Sequence, residues 1–173
     1  MKIALSALLL AVLAGTSGCV SKPDNITPVT PFDSKLYLGK WYEIARLDQR
    51  FERGLSRVTA EYSMRPDGGI KVLNRGYDGE KKQWKEAQGK AYFVERADQG
   101  FLKVSFFGPF YGSYIVFALD QKDYRYSMIS GPNKSYFWLL SRSPTMDDAT
   151  KKILLTKAAQ LGFDTSKLVH VQQ

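Results

Sequence analysis

Three kinds of side chain in this sequence could carry chemistry: one cysteine, one histidine and several carboxylates. Cys19 is the only thiol in 173 residues, and it follows a run of small residues near the N-terminus. His170 lies three residues before the C-terminus, outside any Ser/His/Asp or metal-ligand spacing. The carboxylates that could converge as an acid–base pair are Glu43, Glu61, Glu86 and Asp120. Each of these also suits an exposed sheet face or a turn, so we expect a protein that is not an enzyme.

The N-terminus has the organisation of a cleaved export signal. Lys2 precedes an apolar stretch of 12 residues, positions 3–14, which is followed by small residues. A membrane-spanning helix needs about 20 apolar residues, so this stretch is too short to span. The segment Ser17-Gly18-Cys19 resembles a bacterial lipobox, in which the cysteine is acylated before cleavage in front of it. We therefore expect a signal peptide over 1–18 and lipid attachment at Cys19. Position 20 is Val and not the Asp that resembles an inner-membrane retention signal, which predicts sorting to the outer membrane. We expect the domain to face the periplasm.

Cleavage would leave 155 residues, enough for one domain with a substantial core. Its net charge would be +7, because Lys2 is lost from a chain of net charge +8. Neither a Lys/Arg run nor a recognition-helix pattern accompanies this charge, so nucleic acid is not an expected partner. The expected partner is instead the membrane, reached through the N-terminal acyl chains. Residues 19–31 hold several prolines without apolar periodicity and are predicted to form a flexible tether before a domain over 32–173.

Beyond this tether the chain alternates apolar and polar residues in short segments separated by Gly, Asp, Asn and Pro. In one segment Leu102, Val104 and Phe106 share a face opposite Lys103 and Ser105. Such alternation is typical of antiparallel strands, and a sheet with one apolar face can close into a barrel. Eight strands are predicted, at about Trp41–Leu47, Arg57–Arg65, Ile70–Tyr77, Trp84–Glu95, Phe101–Phe107, Ser113–Asp120, Tyr124–Ser130 and Ser135–Arg142.

One helix is predicted after the last strand. Thr145 is the expected N-cap and Gly162 the expected stop, with acidic residues in the first turn. Its apolar stripe, which should pack on the outer wall of the barrel, contains Met146, Ala149, Ile153, Leu154, Ala158 and Leu161.

Three blocks resemble the motifs of the lipocalin family. Gly39-Lys40-Trp41 is similar to its Gly-x-Trp motif, Ala118-Leu119-Asp120 to its second block and Leu139-Leu140-Ser141-Arg142 to its third. The group that the sequence most resembles is the bacterial outer-membrane lipocalins. The resemblance implies an all-β protein, an eight-stranded antiparallel up-and-down β-barrel with one C-terminal α-helix packed outside. It also implies binding, storage or transport of small apolar ligands, above all fatty acids or lysophospholipids, without a cofactor, by a monomer or homodimer.

Strand parity assigns side chains to the two ends of such a barrel. The closed end should hold Gly39, Trp41 and Arg142 as structural residues, with the guanidinium stacked on the indole. The open end should form a mouth that contacts the ligand and contains Arg50, Arg53, Phe110, Tyr111 and Lys134, with Lys81 and Lys82 nearby. The predicted ligand-binding cavity is lined by Tyr62, Asn74, Phe93, Val104, Phe106, Tyr114, Val116, Met128 and Trp138.

Four alternatives stay open at this point. The inner side chains could fill a dry core, and the mouth loops could be ordinary solvated loops. The same barrel could serve a lipid- or isoprenoid-modifying enzyme. It could also carry a pigment or haem, although iron would then need Tyr or Met as a ligand in place of a suitably placed histidine.

Overall fold

A computed structural model describes residues 20–173. Within them, eight strands close into one antiparallel barrel, because β1 pairs with both β2 and β8 and every other strand pairs with its sequence neighbours. The predicted fold class and all eight predicted strands are confirmed. The barrel strands are β1 (Gly39–Leu47), β2 (Leu55–Met64), β3 (Ile70–Asp78), β4 (Gln83–Phe93), β5 (Phe101–Phe107), β6 (Phe110–Leu119), β7 (Tyr126–Ser130) and β8 (Phe137–Ser141).

Three further elements flank the barrel. The short helix α1 (Ser34–Tyr37) precedes β1, the helix α2 (Asp148–Gln160) follows β8, and a short outer strand β9 (Leu168–His170) pairs with β1. Neither α1 nor β9 was predicted, because each is too short to carry a periodic apolar pattern. In the described part of the chain, no helix has the length and apolar character needed to cross a membrane.

The predicted start of α2 is wrong by two residues. Asp147, not Thr145, is the N-cap, and its carboxylate accepts a hydrogen bond from Thr150 N at 2.8 Å. An ionised carboxylate at this position also interacts favourably with the helix dipole. Gly162 ends the helix with φ +87°, as its position suggested.

The apolar face of α2 is narrower than predicted. Leu154 and Ala158 are buried against the barrel, whereas Ala149 is exposed and Ile153 is 70% exposed. Adjacent helical residues lie 100° apart, so the helix cannot direct both Ile153 and Leu154 into a narrow seam on a convex wall. Only a thin stripe of the helix therefore contacts the barrel.

The apolar residues form two separate clusters, one inside the barrel and one between its wall and α2. Met128 belongs to the outer cluster, which corrects its predicted place in the cavity. Ile129 of β7 pairs with Val116 of β6, and both point inward. Successive strand residues face opposite sides, so Met128 points outward under Ala158 and the rest of α2.

Residues 20–31 do not form the predicted flexible tether. They pack along the outer wall, where Ile26 is fully buried and Asn25 donates to Leu161 O at 3.0 Å. Val29 N donates to Val116 O at 2.8 Å and so joins the segment to the barrel backbone. Apolar side chains between the prolines find a seam beside α2, a contact that sequence composition alone does not reveal. The predicted signal peptide and Cys19 lie outside the described residues.

Candidate functional site

A stacked tryptophan–arginine pair closes one end of the barrel. The Arg142 guanidinium carbon lies 4.0 Å from the centroid of the Trp41 ring. The same guanidinium donates to Leu36 O at 2.6 Å and Lys40 O at 3.0 Å, and its Nε lies 3.3 Å from Tyr124 O. It thereby joins α1, β1 and the turn before β7. Gly39, at the start of β1 beside Arg142, has φ +90°, a backbone conformation that glycine adopts freely and other residues adopt only with strain.

Above this floor three tyrosines share a hydrogen-bond network inside the barrel. The Tyr114 hydroxyl lies 2.8 Å from the hydroxyls of both Tyr37 and Tyr62, and Tyr37 also contacts Ser127 Oγ at 3.1 Å. Burial raises the pKa of Tyr37 to about 12 and the pKa of Tyr62 and Tyr114 well above the usual value. These hydroxyls are therefore neutral and available as hydrogen-bond donors. Tyr37 was not among the predicted residues because it lies before the first predicted strand.

The remaining predicted cavity residues divide between a packed floor and a more accessible upper wall. Val116 is fully buried, and Phe93 packs near Phe32 with ring centroids 6.2 Å apart, so both belong to the closed end. The inner side chains that stay only partly buried toward the open end are Val104, Phe106, Tyr114 and Trp138. An apolar surface thus remains accessible on the inner wall below the mouth.

An ionic cluster lies within this upper wall. Arg46, only 1% exposed, donates through Nη1 to Glu43 Oε1 at 2.7 Å and through Nη2 to Glu52 O at 2.8 Å. Trp138 Nε1 donates to Glu52 Oε2 at 3.0 Å, which links the cluster to the inner wall. Burial, with the negative charge of Glu52 beside it, raises the pKa of Glu43 to about 8 against the opposing effect of Arg46. Burial raises the pKa of Glu52 as well.

A prediction that assumes strict alternation of side chains along β1 misses this ionic cluster. Counting inward positions from Trp41 selects Glu43 and then Ala45, which would leave Arg46 outside. A bulge between Glu43 and Ala45 shifts the register, so that Arg46 pairs with the inward-facing Trp138. The only sequence signal is a Glu and an Arg three residues apart in an otherwise apolar strand.

Asn74 provides a third polar feature of the interior. It lies in β3 beside Ala60 and Ala87, and its Oδ1 is buried without a hydrogen-bond partner among the described residues. A buried unpaired acceptor is costly, so this oxygen favours a ligand that brings a donor.

The mouth loops carry exposed aromatic and basic side chains. Phe107 is 82% exposed and Phe110 78% exposed at the tip of the β5–β6 hairpin. Arg50 is exposed, and the exposed Arg53 forms an ion pair with Asp48 at 2.7 Å. The predicted mixture of apolar and cationic groups is therefore present at the open end, on the hairpin tip and on the loop between β1 and β2.

Two predicted mouth residues lie elsewhere. Tyr111 is on the outer wall, where Lys103 Nζ lies 5.1 Å from its ring and Tyr92 packs at 6.4 Å, because β6 alternation sends it opposite to Tyr114. Lys134 lies against the end of α2, with Nζ 3.0 Å from where a Cβ on Gly162 would stand. The negative end of the helix dipole attracts this ammonium group away from the mouth.

In the described part of the chain, no three His, Cys, Asp or Glu side chains are grouped so that they could hold a metal ion. The polar groups inside the barrel instead form a neutral hydroxyl network and one buried ionic cluster. This arrangement suits the binding of an amphipathic molecule by contact and hydrogen bonding.

Comparison with known proteins agrees with this barrel. Residues 32–173 match the family model described as the lipocalin-like domain, and the chain belongs to the lipocalin family. Insecticyanin from the tobacco hornworm Manduca sexta has a TM-score of 0.70 and 26% identity, covering 87% of this chain and 85% of its own.

Two bacterial relatives align over nearly the full length. The chain is 56% identical over 170 residues to the outer membrane lipoprotein Blc of Vibrio cholerae, covering 98% of each protein. It is 49% identical over 169 residues to outer membrane lipoprotein Blc of Escherichia coli K12, covering 98% of this chain and 95% of that protein. The protein is accordingly a lipid-anchored lipocalin of the bacterial outer membrane.

Proposed function

We propose that this lipocalin is a non-catalytic carrier of single-chain lipids, either fatty acids or lysophospholipids. The observation that carries the proposal is the partly exposed apolar wall of Val104, Phe106 and Trp138 below a mouth with exposed Arg50 and Phe110. An acyl chain would lie along the wall, and its charged head would stay at the mouth, because burying an unpaired charge is far costlier.

The energetics of an acyl chain agree with reversible carriage. Burial of a chain of about 16 carbons gains roughly 12 kcal/mol at about 0.8 kcal/mol per CH₂ group. Association costs of about 4–15 kcal/mol offset much of this gain. The balance permits a lipid to be taken up and released without chemical change.

The position of the N-terminal segment supports delivery at a membrane. Ser21 Oγ donates to Pro132 O at 3.4 Å in the loop between β7 and β8, which belongs to the open end. Ser113, near the mouth end of β6, donates to Ser21 O. Cys19 precedes Val20 directly, and neighbouring Cα atoms are about 3.8 Å apart, so an acylated Cys19 would bring the mouth close to the bilayer.

The test is a titration of palmitate and of hexadecanol, at low and at physiological salt, followed by the heat of binding. Palmitate affinity should fall with salt, because exposed charges are screened over about 8–10 Å, while hexadecanol affinity should not. The double variant Arg50→Ala/Arg53→Ala should weaken palmitate alone. Lys134→Ala is the matched control, since its ammonium group faces α2, and it should change neither ligand. Trp138→Ala should weaken both.

Equal responses of the two ligands to salt and to the Arg50/Arg53 change would remove the mouth charges from the proposal. Failure of the wild-type protein to bind either ligand would overturn the carrier function itself.

A further inference from the structure

The outer wall of the barrel contains a cavity that has no part in lipid carriage. Its volume is about 250 Å³, and it opens on the polar face of strands β1 to β4, beside the C-terminus. The side chains that give it its character are Lys40, Tyr42, Arg57, Arg75, Trp84 and Gln173. We call this cavity the outer groove. It combines three cations with two aromatic rings.

The cations of the outer groove are incompletely neutralised. Within residues 20–173, Lys40 and Arg57 have no carboxylate within 4.0 Å; Glu61, the cross-strand neighbour of Lys40, lies beyond this distance. Arg75 contacts Glu86 at 2.7 Å, but both side chains are about half exposed. An exposed pair of this kind contributes little and can exchange for a stronger ligand.

Aromatic rings hold the two guanidinium groups in place. Arg75 lies 5.3 Å from the centroid of the Trp84 ring, and Arg57 lies 5.3 Å from that of Tyr77. A guanidinium that stacks on a ring keeps its N–H edges free, and those edges match the oxygen spacing of a phosphate. Trp84 also packs against Tyr77 but remains 48% exposed, so part of its ring is available to a ligand.

The backbone at Arg57 is also unusual. Arg57 has φ +51°, a left-handed conformation that only glycine adopts freely, at a bulge between Ser56 and Thr59. Its N–H donates to Gln172 O at 2.6 Å, and Gln173 Nε2 donates to Glu43 O at 2.6 Å. The C-terminus therefore fastens the bulge, and the bulge directs Arg57 into the groove. Strained non-glycine residues of this kind cluster at functional sites.

We propose that the outer groove binds a phosphate group, carried either by a small polar metabolite or by a lipid headgroup. Arg57 and Arg75 donate to the phosphate oxygens, Lys40 supplies a third positive charge, and Trp84 packs against the group that bears the phosphate. The site lies on the opposite side of the barrel wall from the lipid cavity. It is therefore independent of the carrier function.

The experiment uses the mature lipoprotein in uncharged detergent micelles and follows binding heat and Trp84 fluorescence, which is taken as the difference between the wild-type protein and Trp84→Phe. Inorganic phosphate, glycerol 3-phosphate and glycerophosphoglycerol, the headgroup of phosphatidylglycerol without its acyl chains, are titrated at constant ionic strength. Tighter binding of the third compound identifies a headgroup site, and tighter binding of the second identifies a metabolite site.

Arg57→Asn tests the guanidinium without forcing the backbone, since Asn tolerates positive φ, and Arg75→Ala tests the second contact. Each should weaken phosphate binding about tenfold, the usual effect of losing one charge-assisted hydrogen bond. Lys152→Ala, on the exposed face of α2, is the matched control and should bind phosphate as wild type does. Hexadecanol binding should be unchanged in all three variants.

Phosphate titrations that do not reach saturation would overturn the proposal. So would wild-type phosphate affinity in both arginine variants, or an equal Trp84 response to sodium chloride. If the wild-type protein does not bind hexadecanol, the carrier function is contradicted. The phosphate titrations still test the outer groove in that case.

Discussion

Replacing Arg142 with alanine removes the side chain that covers the closed end of the barrel. The guanidinium stacks 4.0 Å from the centroid of the Trp41 ring and donates to the carbonyl oxygens of Leu36 and Lys40. Trp41 is fully buried in the wild-type protein, so the substitution also exposes one face of the indole to water.

These contacts set the size of the expected effect. A cation–π contact is worth about 0.5–2 kcal/mol, and a hydrogen bond from a charged donor about 1.5–3 kcal/mol. Arg142 is only half-buried, so these values do not add in full, and we expect a loss of about 3 kcal/mol. For a domain of this size that corresponds to a fall in Tm of about 6–12 °C.

Thermal unfolding followed by circular dichroism measures this change. The matched control is Arg96→Ala, also at the closed end, where an exposed ion pair with Asp98 is lost and the expected cost is below about 1 kcal/mol. Hexadecanol affinity at a temperature where the Arg142 variant is folded should be unchanged. A Tm within about 2 °C of wild type, or a selective loss of affinity, would refute a structural role for the pair.

Two further predictions concern the buried ionic cluster and the anchor. Because the pKa of Glu43 is about 8 in the folded protein and 4.5 ordinarily, the folded state keeps a proton that the unfolded chain releases. The free energy of unfolding should thus decline from pH 4.5 to pH 8, and Glu43→Gln should reduce this slope in urea titrations; identical slopes would contradict the argument. Cys19→Ser should release the protein from membranes or block its processing, since the acylated thiol is lost, and unchanged fractionation would contradict lipid attachment there.

Alternation of side chains made the barrel predictable. In β5, Leu102, Val104 and Phe106 alternate with Lys103 and Ser105, and only a sheet with one apolar face accommodates that order. Strand parity then places Trp41 and Arg142 at the same end, because the first strand begins where the eighth finishes. Both inferences depend on the order of apolar and polar residues along the chain, which is a property of the sequence alone.

The face to which a side chain points, and the side chains beside it, were less predictable wherever the pairing of two strands is irregular. The bulge in β6 lets Phe117 and Ala118 both face outward. The bulge in β1 brings Arg46 inward to Glu43. A bulge adds one residue to one strand and reverses every later side chain, yet it leaves no mark on the apolar pattern.

The sequence by itself therefore determined the barrel, its C-terminal helix and the Trp41–Arg142 pair at the closed end. The tertiary structure decided which polar groups enter the interior, where Lys134 and residues 20–31 pack, and which cations gather in the outer groove. These outcomes depend on surfaces that exist only after the strands have closed. Asn25 meets Leu161, and Arg57 meets Gln172, across separations of more than 100 residues along the chain. Contacts at that distance depend on packing and register, which local periodicity does not specify.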